Sequence, residues 1–307
     1  MNAKKNKPPK TTNAGFTLLE LVVAMIVTSI VGIAMVSNSI SQQRNATMVR
    51  ETAQLQQQLR GAIYIMEGDI RIAGYDPEAS GLFGIMDVRH YSITNEVTAP
   101  AVTAAPLGSP SLIIAYDWDP TNAAASGNGV SDEPIHAYRL YDDNSDNIND
   151  LVQDVIVAGN VTRQLVAEGI EAIGFAYAID SDNDGVLDRT AGGNLIWAVD
   201  SNNDNLLDTN LDTNDDGFVD INDAGGNFVI ESADGPAGLI NPQADRASIR
   251  MVRIWMVARA RNADQRYRNT NQYVVSNQIV PAQAGGYQDN FRRQLMDHTV
   301  QFRNMGL

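Results

Sequence analysis

Cysteine is absent from the 307 residues, which excludes a disulfide framework, a thiolate nucleophile and a cysteine metal site. Positive charge is scarce, because 22 lysine and arginine residues face 37 acidic ones and lysine is confined to the first ten positions. The resulting net charge of −15 argues against a nucleic-acid-binding protein. The G-x-S-x-G, P-loop and H-E-x-x-H motifs are also missing, and the three histidines lie far apart, so we predict that the protein is not an enzyme.

The N-terminal region combines a basic segment with a long apolar one. Residues 1–15 carry four lysines and no acidic residue, whereas residues 16–36 contain a single charge, Glu20. The apolar segment is long enough to cross the hydrocarbon core of a bilayer as a helix. Lysines that precede such a segment stay in the cytoplasm, so we expect a single membrane span with the rest of the chain exported.

Three interpretations of this region are open: an ordinary cleaved signal peptide, a plain signal anchor, and a prepilin-type leader. An ordinary signal has a small-residue cleavage site after the apolar segment, which the sequence A-M-V at 34–36 matches poorly. Neither of the first two interpretations explains Glu20, because a carboxylate inside the membrane costs about 2.5–3.5 kcal/mol. The sequence G-F-T-L-L-E-L at 15–21 resembles the recognition sequence of type IV prepilins and type II secretion pseudopilins.

This resemblance implies a role for three residues of the motif. A prepilin peptidase would remove the leader, residues 1–15, by cleaving between Gly15 and Phe16, and Phe16 would carry an N-methylated amine. In an assembled filament the carboxylate of Glu20 would lie beside the terminal amine of a neighbouring pilin, which gives each buried charge a partner. The chain would therefore reside in the inner membrane first and join other pilins in a surface pilus afterwards.

The helix is predicted to continue beyond the membrane. Residues 37–73 contain no proline, and Gly74 stands where a glycine often ends a helix. An apolar stripe recurs at steps of three or four residues through Leu55, Leu59, Ile63, Met66, Ile70 and Ala73. The second part of the helix, 37–74, is therefore expected to be amphipathic and to pack on an exported domain that spans 75–307.

The exported domain is predicted to be rich in β-structure. Candidate strands occur at 112–116, 135–141, 152–158, 170–178, 194–199, 249–260 and 273–280. We therefore predict an α+β fold, in which the long N-terminal helix packs on an antiparallel β-sheet that carries acidic calcium-loop insertions.

Three further segments narrow the family resemblance, namely RIAGYDP at 71–77, SIRMVRIWMVARA at 248–260 and DNFRRQLMDHTVQFRN at 289–304. They resemble PilW-type minor pilins, which are relatives of the J-type pseudopilins. The resemblance implies a minor pilin that helps to initiate or build a type IV pilus. A J-like pseudopilin of a type II secretion system and a calcium-dependent adhesin on a pilin anchor remain alternatives, and 289–304 could also be a plain basic helix or strand.

The insert at 180–248 is acidic and repetitive, and the resemblance does not explain it. The spacing D-x-[DN]-x-D-x-x-x-D begins at Asp142, Asp180, Asp200 and Asp212, and the copies at Asp180 and Asp212 have glycine at position 6. Oxygen ligands at positions 1, 3, 5 and 9 with a sharp turn at position 6 are typical of calcium loops. The last copy has Asp223 at position 12 and resembles dockerin loops, whereas the others look more like thrombospondin type 3 repeats.

The alternative to calcium loops is an acidic insert that stays solvated and disordered. We predict structural calcium, because the alternate-residue spacing suits its flexible, oxygen-rich coordination shell. The predicted ligands, with Phe218 acting through its main-chain carbonyl, are Asp180, Asp182, Asp184, Asp188, Asp200, Asn202, Asp204, Asp208, Asp212, Asn214, Asp216, Phe218, Asp220 and Asp223.

Overall fold

A computed structural model describes the chain at residues 16–76, 83–91, 109–117, 134–142, 148–157, 160–235 and 244–305. Its longest element is helix α1, Leu18–Ile72, which agrees with the predicted helix to within two residues at each end. A helix of this length is favoured by the absence of proline and by apolar residues that repeat with the helical period. Gly74 follows it with a φ of +77°, a left-handed conformation that glycine adopts without steric cost.

The chain divides after Glu51 into two units. The described part of the first unit is the N-terminal portion of α1. The second unit, Thr52–Leu307, contains the remainder of α1 and all the described β-strands.

Two five-stranded antiparallel sheets form most of the second unit, which makes the fold α+β as predicted. The first sheet has the order β1-β4-β5-β6-β7, with β1 (Gly84–Asp87), β4 (Leu112–Ala115), β5 (Ile135–Tyr141), β6 (Asp150–Val157) and β7 (Asn160–Ala167). The second sheet has the order β10-β9-β8-β11-β14, with β8 (Ile170–Ile179), β9 (Ala198–Val199), β10 (Thr209–Asn210), β11 (Ile249–Arg259) and β14 (Arg293–Gln301). Two small hairpins pair β2 (His90–Tyr91) with β3 (Ser109–Pro110) and β12 (Tyr273–Val275) with β13 (Gln278–Val280).

The predicted strands at β4, β5, β6, β8 and β11 are confirmed to within two residues. The predicted strand at 194–199 is too long. Asn194 belongs to a turn and binds Asp215, Leu195 forms an isolated bridge with Arg189, and the strand itself is Ala198–Val199. The predicted strand at 273–280 is a hairpin, since Ser276 has a φ of +56° and reverses the chain. Strands β1, β2, β3, β7 and β10 were not predicted. Strand β14 shows that the C-terminal basic segment is a strand.

The apolar stripe of α1 faces the core, as predicted. All six stripe residues are buried and form one hydrophobic cluster with both five-stranded sheets. Leu112 and Tyr138 contribute from the first sheet, and Ile254 contributes from the second. The second unit is therefore organised around the amphipathic part of the helix.

A polar cluster also joins the helix to the first sheet. The carboxylate of Asp69 accepts hydrogen bonds from the hydroxyl of Tyr138 at 2.6 Å and from the amide of Gln153 at 2.7 Å. His136 Nδ1 lies 3.3 Å from the same carboxylate, and the ring of Tyr116 stacks on the imidazole. Burial lowers the pKa of His136 against the opposing effect of Asp69, so the imidazole is neutral at neutral pH.

The acidic insert is packed against the domain. Leu211 and Ile230 are buried in a second hydrophobic cluster with Trp255, on β11 of the second sheet. Leu207 is buried in the main cluster. Leu207 lies within the second loop, and Leu211 and Ile230 flank the third. These anchors hold the described part of the insert against the domain, which a solvated and disordered insert would not do.

Candidate functional site: the exposed helix and three acidic loops

The N-terminal part of α1 presents apolar side chains that the first unit does not cover. Phe16 and Leu18 are 85% and 83% exposed, and the large apolar residues that follow up to Val36 are exposed as well. This portion of α1 is the one candidate membrane span among the described residues. Its apolar surface requires either lipid or other helices as its surroundings.

The polar groups of this segment are satisfied locally, with one exception. Thr28 and Ser29 each donate a hydroxyl hydrogen bond of 2.7 Å to the carbonyl four residues earlier, as serine and threonine do in membrane helices. Thr17 accepts the amide hydrogen of Glu20 at 3.3 Å and so caps the first turn. The carboxylate of Glu20 forms no ion pair with any residue in the described part of the chain. Phe16 precedes Glu20 by four residues, and Gly15 falls outside the described residues.

Three acidic loops follow β8, β9 and β10, and each begins with a buried aspartate. Asp180 accepts the amides of the residues at positions 5 and 6 of its loop, at 3.1 and 3.2 Å. Asp200 does the same at 3.2 and 2.7 Å, and Asp212 at 3.0 and 2.8 Å. The first position of each repeat therefore folds its own loop around one carboxylate.

The remaining positions are equally regular. At position 3 the side-chain oxygen accepts the backbone amide of position 5, and the residues are Asp182, Asn202 and Asn214. At position 5 the carboxylate accepts the backbone amide of position 7, and the residues are Asp184, Asp204 and Asp216. Positions 4 and 6 have positive φ in every copy, at Asn183, Asn203, Asp215 and Gly185, Asn205, Gly217. Three segments that share a sequence spacing thus share one backbone conformation, in which alternate side chains turn towards the same interior.

The third loop differs from the other two at its closing residue. Asp188 and Asp208, at position 9, accept the amides of Ser181 at 3.2 Å and Ser201 at 2.9 Å. In the third loop this contact is made by the position-12 residue Asp223, which accepts the equivalent amide of Thr213 at 2.8 Å. Its position-9 residue, Asp220, caps the 3₁₀ turn Ile221–Asp223 instead. The third copy therefore closes at position 12, where the sequence has the extra aspartate.

Residues 140–304 match the family model described as Type IV Pilus-assembly protein W, and this match spans more than half of the chain. The chain belongs to the PilW family. Residues 10–36 match the prokaryotic N-terminal methylation motif. A type IV-like pilin from Thermus thermophilus is similar in structure, at 12% identity and a TM-score of 0.41, over 82% of this chain and 98% of that one. No curated protein matches the chain in sequence.

Membership of the PilW family explains why the N-terminal part of α1 exposes an apolar surface. The methylation motif and the apolar helix together fit a protein that is anchored in the inner membrane before it is assembled into a pilus. The family is one of pilus assembly, so the chain acts together with other pilus components. The recognition of the motif at 15–21 and of the C-terminal segments is confirmed by these matches.

The loops of this PilW-family chain concentrate negative charge at partly dehydrated positions. Burial raises the pKa of Asp200, Asp212 and Asp223, because each carboxylate loses hydration that the surrounding amides replace only in part. In the first loop, oxygens of Asp180, Asp182 and Asp188 lie within 4.8 Å of one another. Among the described residues this is the one group of three carboxylates that converges so closely; the other two loops have asparagine at position 3.

Two contacts that the insert makes were not predicted from sequence. Asp215, at position 4 of the third loop, binds the hydroxyl of Thr190 at 2.5 Å and the amide of Asn194 at 2.9 Å, and these bonds lower its pKa. Asn205 occupies the position where the other loops have glycine, and its side-chain oxygen accepts the amide of Val88 at 3.2 Å. The asparagine in place of glycine was the one sequence signal for this second contact.

The fourth copy of the spacing is only partly described. Residues 144 and 146, which are positions 3 and 5 of this copy, fall outside the described residues. Its last member, Asp150, is buried in β6 and accepts the amide of Gly169 at 2.7 Å. Asp150 therefore stabilises the turn before β8.

Proposed function

We propose that this chain is a minor pilin, which enters a type IV pilus through α1 after a prepilin peptidase cleaves between Gly15 and Phe16. The observation that carries the proposal is the apolar, exposed N-terminal part of α1 with a single acidic residue, attached to a domain that has its own core. Such a helix is stable only when lipid or neighbouring helices cover it. The family match and the methylation motif support assembly into a filament as the destination.

Glu20 is the residue that distinguishes a filament helix from a plain anchor. In lipid its carboxylate costs about 2.5–3.5 kcal/mol on insertion scales. Beside the N-terminal amine of a neighbouring subunit the same charge gains a partner, and the pair sets the axial position of one helix against the next. The helix is therefore more favourable in a filament than alone in the membrane.

Calcium binding is the second part of the proposal. The three loops offer convergent oxygens at alternate positions, a charge density that repels itself, and a closing carboxylate at position 9 or 12. Flexible loops with several carboxylates suit Ca²⁺ better than Mg²⁺, which requires near-ideal octahedral geometry. Bound calcium would neutralise the insert and stabilise the exported domain at the position where the loops join the second sheet.

A J-like pseudopilin of type II secretion and a pilin-anchored adhesin are the other candidates. A pseudopilin would have the same exposed apolar helix with one acidic residue, so the helix does not distinguish the two candidates. The PilW match favours a pilus. The deciding experiment is to delete the protein and image surface filaments by electron microscopy. Loss of pili that the full-length chain restores supports the minor pilin. Intact pili with defective secretion would contradict it, as would intact pili that fail only in attachment.

A further inference from the structure

A short turn brings the end of the first acidic loop into contact with the third loop. Residues 189–195, called the linking turn below, follow directly after Asp188, the closing carboxylate of the first loop. Arg189 and Leu195 pair across the base of the linking turn, and the amide of Ile196 donates to the carbonyl of Asp188 at 3.2 Å. The position of Asp188 and the shape of the linking turn are therefore set together.

The linking turn also binds Asp215, at position 4 of the third loop. The carboxylate of Asp215 accepts hydrogen bonds from the hydroxyl of Thr190 at 2.5 Å and from the backbone amide of Gly192 at 3.2 Å. The side-chain amide of Asn194 donates to the same carboxylate at 2.9 Å and to the carbonyl of Asp215 at 2.8 Å. Four hydrogen bonds thus connect one residue of the third loop to the turn that begins where the first loop ends.

The two segments fit so closely that glycine is required on both sides of the contact. A β-carbon on Gly192 would overlap Oδ2 of Asp215, and a β-carbon on Gly217, at position 6 of the third loop, would lie 3.0 Å from Oδ1 of Asn194. The contact therefore holds the third loop at positions 4 and 6. Between them lies Asp216, the predicted ligand at position 5.

An aspartate at position 4 has no role in coordination, because calcium loops take their ligands from positions 1, 3, 5, 7, 9 and 12. The first and second loops have asparagine there, Asn183 and Asn203, and both have the positive φ that asparagine tolerates. Asp215 adds a negative charge to a loop whose carboxylates already repel one another. Its hydrogen bonds to the linking turn offset that repulsion, which gives the charge a purpose outside its own loop.

The linking turn connects the geometry of the two loops. Calcium in the third loop would hold positions 3 to 7 around the ion, which keeps Asp215 on the linking turn and so keeps Asp188 in place for the first loop. Coupling free energies are reciprocal, so calcium in the first loop favours binding in the third by the same factor. We propose that the first and third loops bind calcium cooperatively, and that Asp215 transmits the coupling through the linking turn. This inference rests on the calcium binding proposed above.

The coupling is measured by calorimetric titration of the full-length chain in detergent micelles with calcium. Asp204→Asn weakens the second loop in every protein, so that the other two loops dominate. Adding Asp184→Asn then gives the affinity of the third loop alone, and adding Asp216→Asn gives that of the first. The coupling factor is the constant for binding two calcium ions divided by the product of the two single-loop constants. We expect a factor of about ten, within the range of about 5 to 150 that is typical of coupled sites.

Two variants weaken the contact from its two sides. Asp215→Gly removes the carboxylate and suits the φ of +60° at this position, and Thr190→Val removes one donor from the linking turn. The matched control, Asn203→Gly, makes the corresponding change at position 4 of the second loop. We expect the coupling factor to fall to about one in Asp215→Gly, to fall partway in Thr190→Val, and to stay within about twofold of the parent in the control. One cooperative thermal transition in each variant shows that it is folded.

Hydrogen exchange provides a readout that a merely structural contact would not change. In the Asp184→Asn protein only the third loop binds strongly, yet the amides of the linking turn should exchange about tenfold more slowly in calcium than in chelator. Adding Asp215→Gly should abolish this difference.

The outcomes separate the coupling from calcium binding itself. If the parent shows no heat of binding, the calcium proposal fails and the coupling fails with it. If the parent binds calcium with a coupling factor of one, or if Asp215→Gly leaves the factor unchanged, the coupling through Asp215 is overturned and the calcium loops stand.

Discussion

Calcium should stabilise the exported domain through the three acidic loops, and position 5 of each loop is the best place to test this. At Asp184, Asp204 and Asp216 one carboxylate oxygen accepts the amide of position 7. Asparagine keeps that acceptor and removes the charge. The triple variant Asp184→Asn, Asp204→Asn and Asp216→Asn therefore changes the affinity for a cation with little change in loop geometry. A matched control removes three exposed acidic charges outside the loops, by Glu168→Gln, Asp245→Asn and Asp297→Asn.

The expected magnitude follows from linkage. A ligand that binds only the folded state stabilises it by RT ln(1 + [L]/Kd). Extracellular calcium modules often have Kd values of about 10⁻⁴–10⁻³ M, so millimolar calcium gives about 0.4–1.4 kcal/mol for each independent site. In a domain of this size 1 kcal/mol shifts Tm by about 2–4 °C, which corresponds to roughly 1–6 °C per loop.

The contribution of the loop aspartates to the stability of the folded state changes with pH in a predictable direction. The pKa values of Asp200, Asp212 and Asp223 are raised in the folded state, so these groups favour folding when protonated. Their contribution is fully present below the unfolded pKa and is lost as pH rises through the folded pKa. Bound calcium would take the place of the proton as the positive charge at these oxygens. Its stabilising effect should therefore be larger at pH 7 than at acidic pH, where protons compete for the same oxygens.

The assay is thermal unfolding of a truncated chain that begins at Ser37, in calcium and in chelator, together with isothermal titration calorimetry. We expect a rise in Tm with calcium for the parent and the control, and a blunted rise for the loop variant. In chelator the loop variant should be at least as stable as the parent, because it has less self-repulsion. Identical melting curves in calcium and chelator, with no heat of binding, would refute the metal assignment.

Three further predictions concern the leader, the filament helix and the helix–sheet contact. Gly15→Ala should leave an unprocessed chain about 15 residues longer, and a mature N-terminus at Phe16 in that variant, read by mass spectrometry, would contradict it. Glu20→Val should remain membrane-bound and be cleaved but enter pili poorly; normal incorporation in sheared filament fractions would disprove the charge pairing. Asp69→Ala should cost about 2–4 kcal/mol in chemical denaturation, since Tyr138 and Gln153 lose their acceptor, whereas Asp69→Asn should cost less. Burial lowers the pKa of His136, so the folded state favours the neutral imidazole. The contribution of His136 to stability should therefore be full above about pH 6.5 and decline as the pH falls below that value. The variant His136→Phe should remove this decline.

The local features of the chain could be predicted from sequence, because each depends on residues that are neighbours along it. The period of Leu55, Leu59 and Met66 set the buried face of α1, and Gly74 marked the end of the helix. The spacing of the aspartates likewise determined the loop conformation, since the hydrogen bonds involved span two to five residues. The Gly-Phe junction and Glu20 indicated the pilin class for the same reason, because these residues lie close together in one short motif.

Only the tertiary structure decided the features that depend on distant partners. Asp69, Tyr138 and Gln153 meet because a helix and two strands pack together, and no spacing in the sequence relates them. Asn205 stands where the other loops have glycine, and only the fold brings its side chain to Val88, which is 117 residues away in sequence.

The same reason explains strand β7, whose polar composition gave a weak signal until pairing with β6 made it a strand. Its place at the edge depends on the sheet order alone, because β7 is the last of the described strands in its sheet.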